Sequence, residues 1–184
     1  MAPDTHSTSL DAIVSRLGFG RVTGDGSLAL ASLTLDSRQV VAGSLFCALQ
    51  GQVNDGRSFA SEALGRGADA ILLEGDAIED LPFRGQLLVP PGRGREAVAH
   101  AACELYGDPS ASVSVIGITG TNGKTTTAHV LAHLLRVADW EVRVLGTLTG
   151  ERTTPEAPEL QEALAEVRAR HDPKQCLLAG ASLH

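Results

Sequence analysis

The chain has 184 residues, 43% hydrophobic and 20% charged, and 15 basic against 22 acidic side chains give a net charge of -7. At roughly 150 residues per domain this is one large domain or two small ones, with enough apolar residues for a packed core and against general disorder. The acidic balance argues against a nucleic-acid partner, and no apolar run approaches the roughly 18 residues of a membrane span. MAPDTHSTSL lacks the basic and apolar regions of a signal peptide. Aromatics are 3%, with Ala, Leu, Val and Gly to fill the interior, which suits an α/β chain. Cys47, Cys103 and Cys176 are widely spaced, odd in number and free of CxxC. They are expected to be reduced and buried, in a cytoplasmic monomer.

In chain order, Leu10, Ile13, Val14 and Leu17 fall at i, i+3, i+4 and i+7 and predict one face of a helix. Ser7 to Ser9 offer caps and Gly18 a stop. Two turn-like stretches are expected next, ending at Thr23-Gly24-Asp25-Gly26. Leu33-Thr34-Leu35 alternates as a short strand, Asp36-Ser37-Arg38 follows, and Ser44 to Leu49 reads as another strand. Gly51 to Gly56 is a loop holding Asn54-Asp55-Gly56. A helix from about Arg57 to Arg66 leads to a strand from Ala70 to Leu73. Leu87 to Val89 is a further strand, and Ala97 to Tyr106 an alanine-rich helix.

Gly107-Asp108-Pro109-Ser110 has turn chemistry and marks the expected boundary between domains 1–108 and 109–184. Beyond it, Val113 to Ile118 is an apolar run of strand length and Thr119 to Lys124 a loop. Thr125 to Ala138 predicts a helix with Val130, Leu131, Leu134, Leu135 and Ala138 on one face. Val142 to Leu148 reads as a strand. Thr154 as N-cap and Pro155 at N1 open a last helix, striped by Leu160, Leu164 and Val167 and running to Arg170. Strand, loop, helix, strand, helix is the start of a parallel α/β sheet.

The strongest chemical signal is Gly117-Ile-Thr-Gly-Thr-Asn-Gly-Lys-Thr-Thr126, between a buried strand and an amphipathic helix. Gly120 and Gly123 let backbone N–H groups turn toward a phosphate, and the helix N-terminus adds partial positive charge. Lys124 supplies a full charge for the β/γ-phosphates and Thr125 a hydroxyl for Mg²⁺. The strict G-x-x-x-x-G-K-[ST] pattern has Gly where this chain has Ile118, with Gly117 one place earlier.

The form T-G-T-N-G-K-T-T after an apolar strand resembles the ATP site of the Mur ligases. Upstream, Leu35-Asp36-Ser37-Arg38, Gly43-Ser44-Leu45-Phe46, Ala48-Leu49, Gly51, Asp55-Gly56, Phe59, Ala63 and Gly67-Ala68 resemble the uridine-nucleotide-binding domain of the same family. The likeness covers about residues 25 to 165. Thr153-Thr154-Pro155 after Leu145-Gly146-Thr147, and the triple threonine Thr125 to Thr127, are more similar to the MurE type than to the MurF type. The resemblance implies a uridine-nucleotide-binding α/β domain followed by the start of a P-loop parallel-sheet ATPase domain. It implies ATP and Mg²⁺, with UDP-N-acetylmuramoyl-L-alanyl-D-glutamate as acceptor. Meso-diaminopimelate or L-lysine would be the incoming amine, and the amide would form through an acyl phosphate.

Carried over by motif, Gly120, Thr121, Asn122, Gly123, Lys124, Thr125 and Thr126 would hold ATP. Lys124 would be catalytic and Thr125 the metal contact. Leu35, Ser37, Gln52, Val53 and Asn54 would meet the uridine nucleotide, and Thr153 and Thr154 the muramoyl-peptide. Ser37 also suits a turn, and Thr154 a helix cap. His129 and His133 stand at i, i+4, but a zinc protease needs Glu where this chain has Val130, so surface or packing roles are expected. Cys47, in an apolar strand, suits core better than nucleophile.

The E-V-S-S-H strand, the carbamylated lysine and the amino-acid-binding domain of such ligases have no counterpart here, although Ser182-Leu183-His184 ends similarly. The chain is therefore expected to be truncated and inactive alone, with a half-built central sheet exposing an apolar edge. A MurF-type fragment and a non-catalytic UDP-sugar- or nucleotide-binding module are the alternatives.

Overall fold

The computed structural model of the chain describes residues 7–51, 54–145, 156–170 and 175–181, with the side chains of 175 and 179–181 left aside. The chain divides into two compact units between Gly107 and Asp108.

The first unit opens with α1 (Leu10–Leu17), capped by the Ser9 side chain and closed by Gly18 in the left-handed region. Strands β1 (Arg21–Gly24), β2 (Ser32–Thr34), β3 (Ser44–Ala48), β4 (Ala68–Glu74) and β5 (Gly85–Val89) form one sheet in the order β1-β5-β4-β3-β2. Strands β2 to β5 run parallel, and β1 lies antiparallel on the β5 edge, with Val22 opposite Leu87. Helix α3 (Gly94–Tyr106) contacts α1, which packs on β5, while α2 (Ala60–Gly65) contacts β3 and β4. Phe46, Ala48, Ile71, Leu73 and Leu88 form a core with Ala60 and Ala63 of α2. With both faces covered, β3 is buried along its whole length, which explains its unbroken apolar run. Burial of each large side chain here stabilises by about 1.5–3 kcal/mol.

Three expectations change in this unit. Arg21 to Gly24 forms a strand where turns were expected, because Val22 and Thr23 are only half-buried and the strand is defined by pairing with β5. The helix expected from Arg57 begins as a 3-10 turn over Gly56–Phe59, with Asp55 accepting from the Arg57 N–H at 3.0 Å, and becomes α-helical at Ala60. Helix α3 starts at Gly94, three residues early. Its N-cap, Arg93, makes no side-chain cap. Glu74, at the end of β4, accepts instead from the N–H groups of Gly92 (3.1 Å) and Gly94 (2.7 Å).

In the second unit, β6 (Ser114–Thr119), β7 (Glu141–Leu145) and β8 (Gln175–Ala181) form a parallel sheet in the order β6-β8-β7. Helix α4 (Lys124–Val137) contacts all three strands, and α5 (Ala157–Arg168) contacts β8. Leu177 packs with Val113, Leu164 and Val167, and Leu178 with Val142, Ala132, Leu131 and Leu135. Strand β8 was not expected; its Cys176-Leu177-Leu178 run is fully buried at the centre of the sheet.

The expected apolar face of α4 splits. Leu131 and Leu135 meet the sheet, while Val130, Leu134 and Val137 are 55%, 59% and 73% exposed. On β6, Val115 is also exposed, and among the described residues β6 pairs on one side only. The N-cap of α5 is Glu156, two residues beyond the expected Thr154, and its N–H donates to the Glu159 carboxylate at 3.1 Å. Thr154 and Pro155 lie outside the described residues. Cys47 and Cys176 are buried and free, as expected of core thiols, but Cys103 is only half-buried.

Replacing Glu74 with Ala leaves two N–H groups at the start of α3 without their acceptor. Urea unfolding of the E74A chain is expected to show a loss of about 0.5–2 kcal/mol. Amide exchange measured by mass spectrometry is expected to be faster in β6, paired on one side, than in β4, which lies between β3 and β5.

Candidate functional site

In the second unit, β6 delivers the chain to Gly120, whose φ of 147° lies in the region glycine favours, and to Gly123, with φ 78°. Gly123 is the N-cap of α4 and has no side chain with which to cap it. The Thr127 N–H closes the first turn onto the Gly123 carbonyl at 2.8 Å. N–H groups at the start of a 14-residue helix therefore head a glycine turn at the carboxyl end of a parallel strand, the arrangement that attracts anions. Thr121, Asn122 and Thr126 are exposed, while Lys124 and Thr125 are half-buried. The Lys124 ammonium donates back to the Gly120 carbonyl, so the lysine bridges its own loop.

Among the described residues no cluster of His, Cys, Asp and Glu is placed to hold a metal ion. Thr125, the expected metal contact, lies in the first turn of α4. His129 and His133 are both exposed on α4.

In the first unit, Leu35, Ser37 and Asn54 lie beyond the carboxyl ends of parallel strands, the edge at which open α/β sheets bind ligands. Leu35 and Ser37 follow β2, and Asn54 lies in the connection after β3. Leu35 is half-buried and Asn54 exposed, with the Asn54 carbonyl accepting from the Gly51 N–H at 2.9 Å. Gln52, Val53, Thr153 and Thr154 lie outside the described residues.

The motif residues also hold the local chain. Asp36 caps a 3-10 turn over Ser37–Gln39, accepting from the Arg38 N–H at 3.0 Å. The Arg38 guanidinium turns back onto the same carboxylate at 2.9 and 2.8 Å. Ser37 is buried, and its hydroxyl donates to Glu62 Oε2 at 2.7 Å. Gly56 is required by close approach, since a Cβ there would stand 2.5 Å from the Leu49 carbonyl oxygen. Glu62 and Glu74 were not singled out from sequence, and their signal is weak because acidic residues are common on solvated helix faces and strand ends.

A parallel strand, a glycine turn and a lysine-headed helix define a phosphate-loop architecture for the second unit, and the first is an α/β unit built on a mostly parallel sheet. Comparison with known proteins agrees with that class. Residues 30–106 match the Mur ligase family, catalytic domain, and residues 118–175 the Mur ligase middle domain. A UDP-N-acetylmuramoyl-L-alanyl-D-glutamate–2,6-diaminopimelate ligase of Geobacillus thermodenitrificans is 36% identical over 167 residues, which is 86% of this chain and 33% of that protein. The ligase of the same name from Geobacter sulfurreducens is 37% identical over 155 residues, 79% of this chain and 30% of its own. Among solved structures, MurF from Acinetobacter baumannii matches with a TM-score of 0.69 at 18% identity, over 97% of this chain and 36% of that one. A UDP-N-acetylmuramoyl-L-alanyl-D-glutamate–2,6-diaminopimelate ligase matches with a TM-score of 0.65 at 25% identity, over 95% and 36%. The chain belongs to the Mur ligase family. It spans about a third of the length of the curated relatives it matches.

The carboxyl of Glu62 is held below its ordinary value of 4.5, first by the Ser37 hydrogen bond and then by Arg66 and Arg38. Those of Asp25 and Glu96 are lowered too, by hydrogen bonds from Ser27 and Arg93 respectively. In each case the unfolded chain binds more protons than the folded one, so stability is present above the unfolded values and is lost as pH falls through the folded ones. Thermal unfolding is expected to be flat with pH above about 5 and to move to lower temperature below about 4.5. The E62Q chain is expected to show less of that acid-side loss.

Proposed function

We propose that the chain provides the uridine-nucleotide-binding unit and the leading part of the ATP-binding unit of a MurE-type ligase. That enzyme adds diaminopimelate to UDP-N-acetylmuramoyl-L-alanyl-D-glutamate in peptidoglycan precursor synthesis, a reaction of the cytoplasm. The observation that carries this reading is the identity of 36–37% to diaminopimelate ligases over alignments of 155 to 167 residues. The MurF-type alternative draws on likenesses at 18% identity, which speak to the fold alone.

In this reading ATP phosphorylates the substrate carboxylate, and the amine then displaces phosphate to give the amide. The loop residues Gly120 to Gly123 turn their N–H groups onto the phosphates, and the start of α4 adds its partial charge. Lys124 leaves the Gly120 carbonyl and places its ammonium against the transferring phosphoryl group, where negative charge must be neutralised. The Thr125 hydroxyl would be the chain's contact to Mg²⁺, which would offset negative charge on the phosphates. Leu35, Ser37 and Asn54, with Gln52 and Val53, hold the uridine end, and Thr153 and Thr154 meet the muramoyl-peptide.

Calorimetry of the chain with Mg-ADP and, separately, with UDP tests both halves of the reading. Lys124→Ala is expected to weaken Mg-ADP binding by about 10- to 100-fold, the loss of a charge-assisted contact, and to leave UDP binding unchanged. Equal loss of both ligands, or no loss of Mg-ADP, overturns the assignment of Lys124.

A further inference from the structure

Ser37 is 7% exposed, and its Oγ lies 2.7 Å from Glu62 Oε2. The other carboxylate oxygen, Oε1, accepts from Arg66 Nε at 3.2 Å. Both oxygens of Glu62 are thus engaged as acceptors. Arg38, the nearest basic residue in sequence to Ser37, is turned onto Asp36. A serine hydroxyl has one proton and two lone pairs. With the proton committed to a carboxylate that accepts only, Ser37 has nothing left to donate and can offer a ligand lone pairs alone.

We propose that Glu62 is a positioning residue that makes Ser37 an obligate hydrogen-bond acceptor, so that the first unit selects a ligand presenting an N–H or O–H at that point. This rests on the reading that Ser37 lies in the uridine-nucleotide site. Uridine offers two such sources, the N3–H of uracil and the ribose hydroxyls. Both have the same donor chemistry, and the analogues below separate them. A ligand that presents an acceptor lone pair there leaves the Ser37 lone pairs unsatisfied, a penalty that a freely rotating serine would escape by donating instead.

The test is calorimetry of the full chain with UDP, CDP, 2′-O-methyl-UDP and 3′-O-methyl-UDP, in which an acceptor lone pair stands where UDP has the N3–H or a hydroxyl proton. Wild type is expected to bind one of the three analogues about tenfold more weakly than UDP, the loss of one hydrogen bond. In the Glu62→Ala chain that ratio is expected to fall to about two- to threefold, because Ser37 regains a rotatable proton. Ser37→Ala is expected to abolish the ratio. Glu62→Gln keeps an acceptor oxygen in place and is expected to restore most of it, which also covers the case in which the alanine variant folds poorly. A purely structural role for Glu62 would weaken all four ligands equally, and that result overturns the proposal. So does UDP binding by wild type without discrimination among the analogues. Absence of any UDP binding by wild type overturns the uridine-site reading itself, and the proposal with it.

Discussion

A helix that follows a parallel strand begins with N–H groups that have no intrahelical acceptor, and a side chain, water or a ligand must satisfy them. The two units meet this constraint in opposite ways. In the first, the Glu74 carboxylate reaches from the end of β4 to the Gly92 and Gly94 N–H groups at the start of α3. In the second, α4 starts from Gly123, which has no side chain, and the adjacent lysine folds onto the Gly120 carbonyl. One helix N-terminus is filled by the protein's own negative charge, while the other is headed by a cation. The second therefore suits a phosphate, and the first does not.

That difference bears on how a uridine nucleotide would meet the first unit under the proposed function. The carboxyl edge of β2 to β5 is where an open α/β sheet takes a ligand, but the helix N-terminus on that edge already carries a carboxylate. A diphosphate placed at α3 would face Glu74 rather than free N–H groups, with like-charge repulsion in place of attraction. The edge is better suited to the neutral end of such a ligand. There the chain presents a half-buried Leu35 and the Ser37 hydroxyl, with the exposed Asn54 after β3. Recognition of such a ligand at that edge would rest on shape and hydrogen-bond polarity, which is why the partner of the Ser37 proton matters.

Much of this was legible in the sequence where a local rule and the final environment coincide. The buried parallel strands β3 and β4 appear as unbroken apolar runs because both of their faces are covered. Asp36 and Asp55 announce turns because each carboxylate caps the N–H two residues on. The glycine turn before Lys124 is visible because backbone at positive φ calls for residues of that kind. What escaped the reading is set by partners distant in sequence. Strand β1 has two half-buried residues and no alternation; only β5, more than 60 residues away, makes it a strand. Strand β8 takes its place from insertion between β6 and β7, which no local pattern encodes. Glu62 and Glu74 look like ordinary surface acids until the fold brings Ser37 and the start of α3 beside them.

Helix α4 shows how far periodicity carries and where it stops. Val130, Leu131, Leu134, Leu135 and Ala138 were grouped on one face by spacing, yet the sheet takes Leu131 and Leu135 and leaves Val130 and Leu134 in water. The small residues Ala128 and Ala132 are the ones fully buried, so close approach rather than bulk sets the seat of the helix. That seat fixes where the first turn of α4 points, and with it the direction of the Lys124 side chain and the loop N–H groups. The phosphate loop therefore depends on packing one to two turns down the helix as much as on its own glycines. Enlarging Ala128 or Ala132 would tilt the helix and misplace the loop without touching a single motif residue.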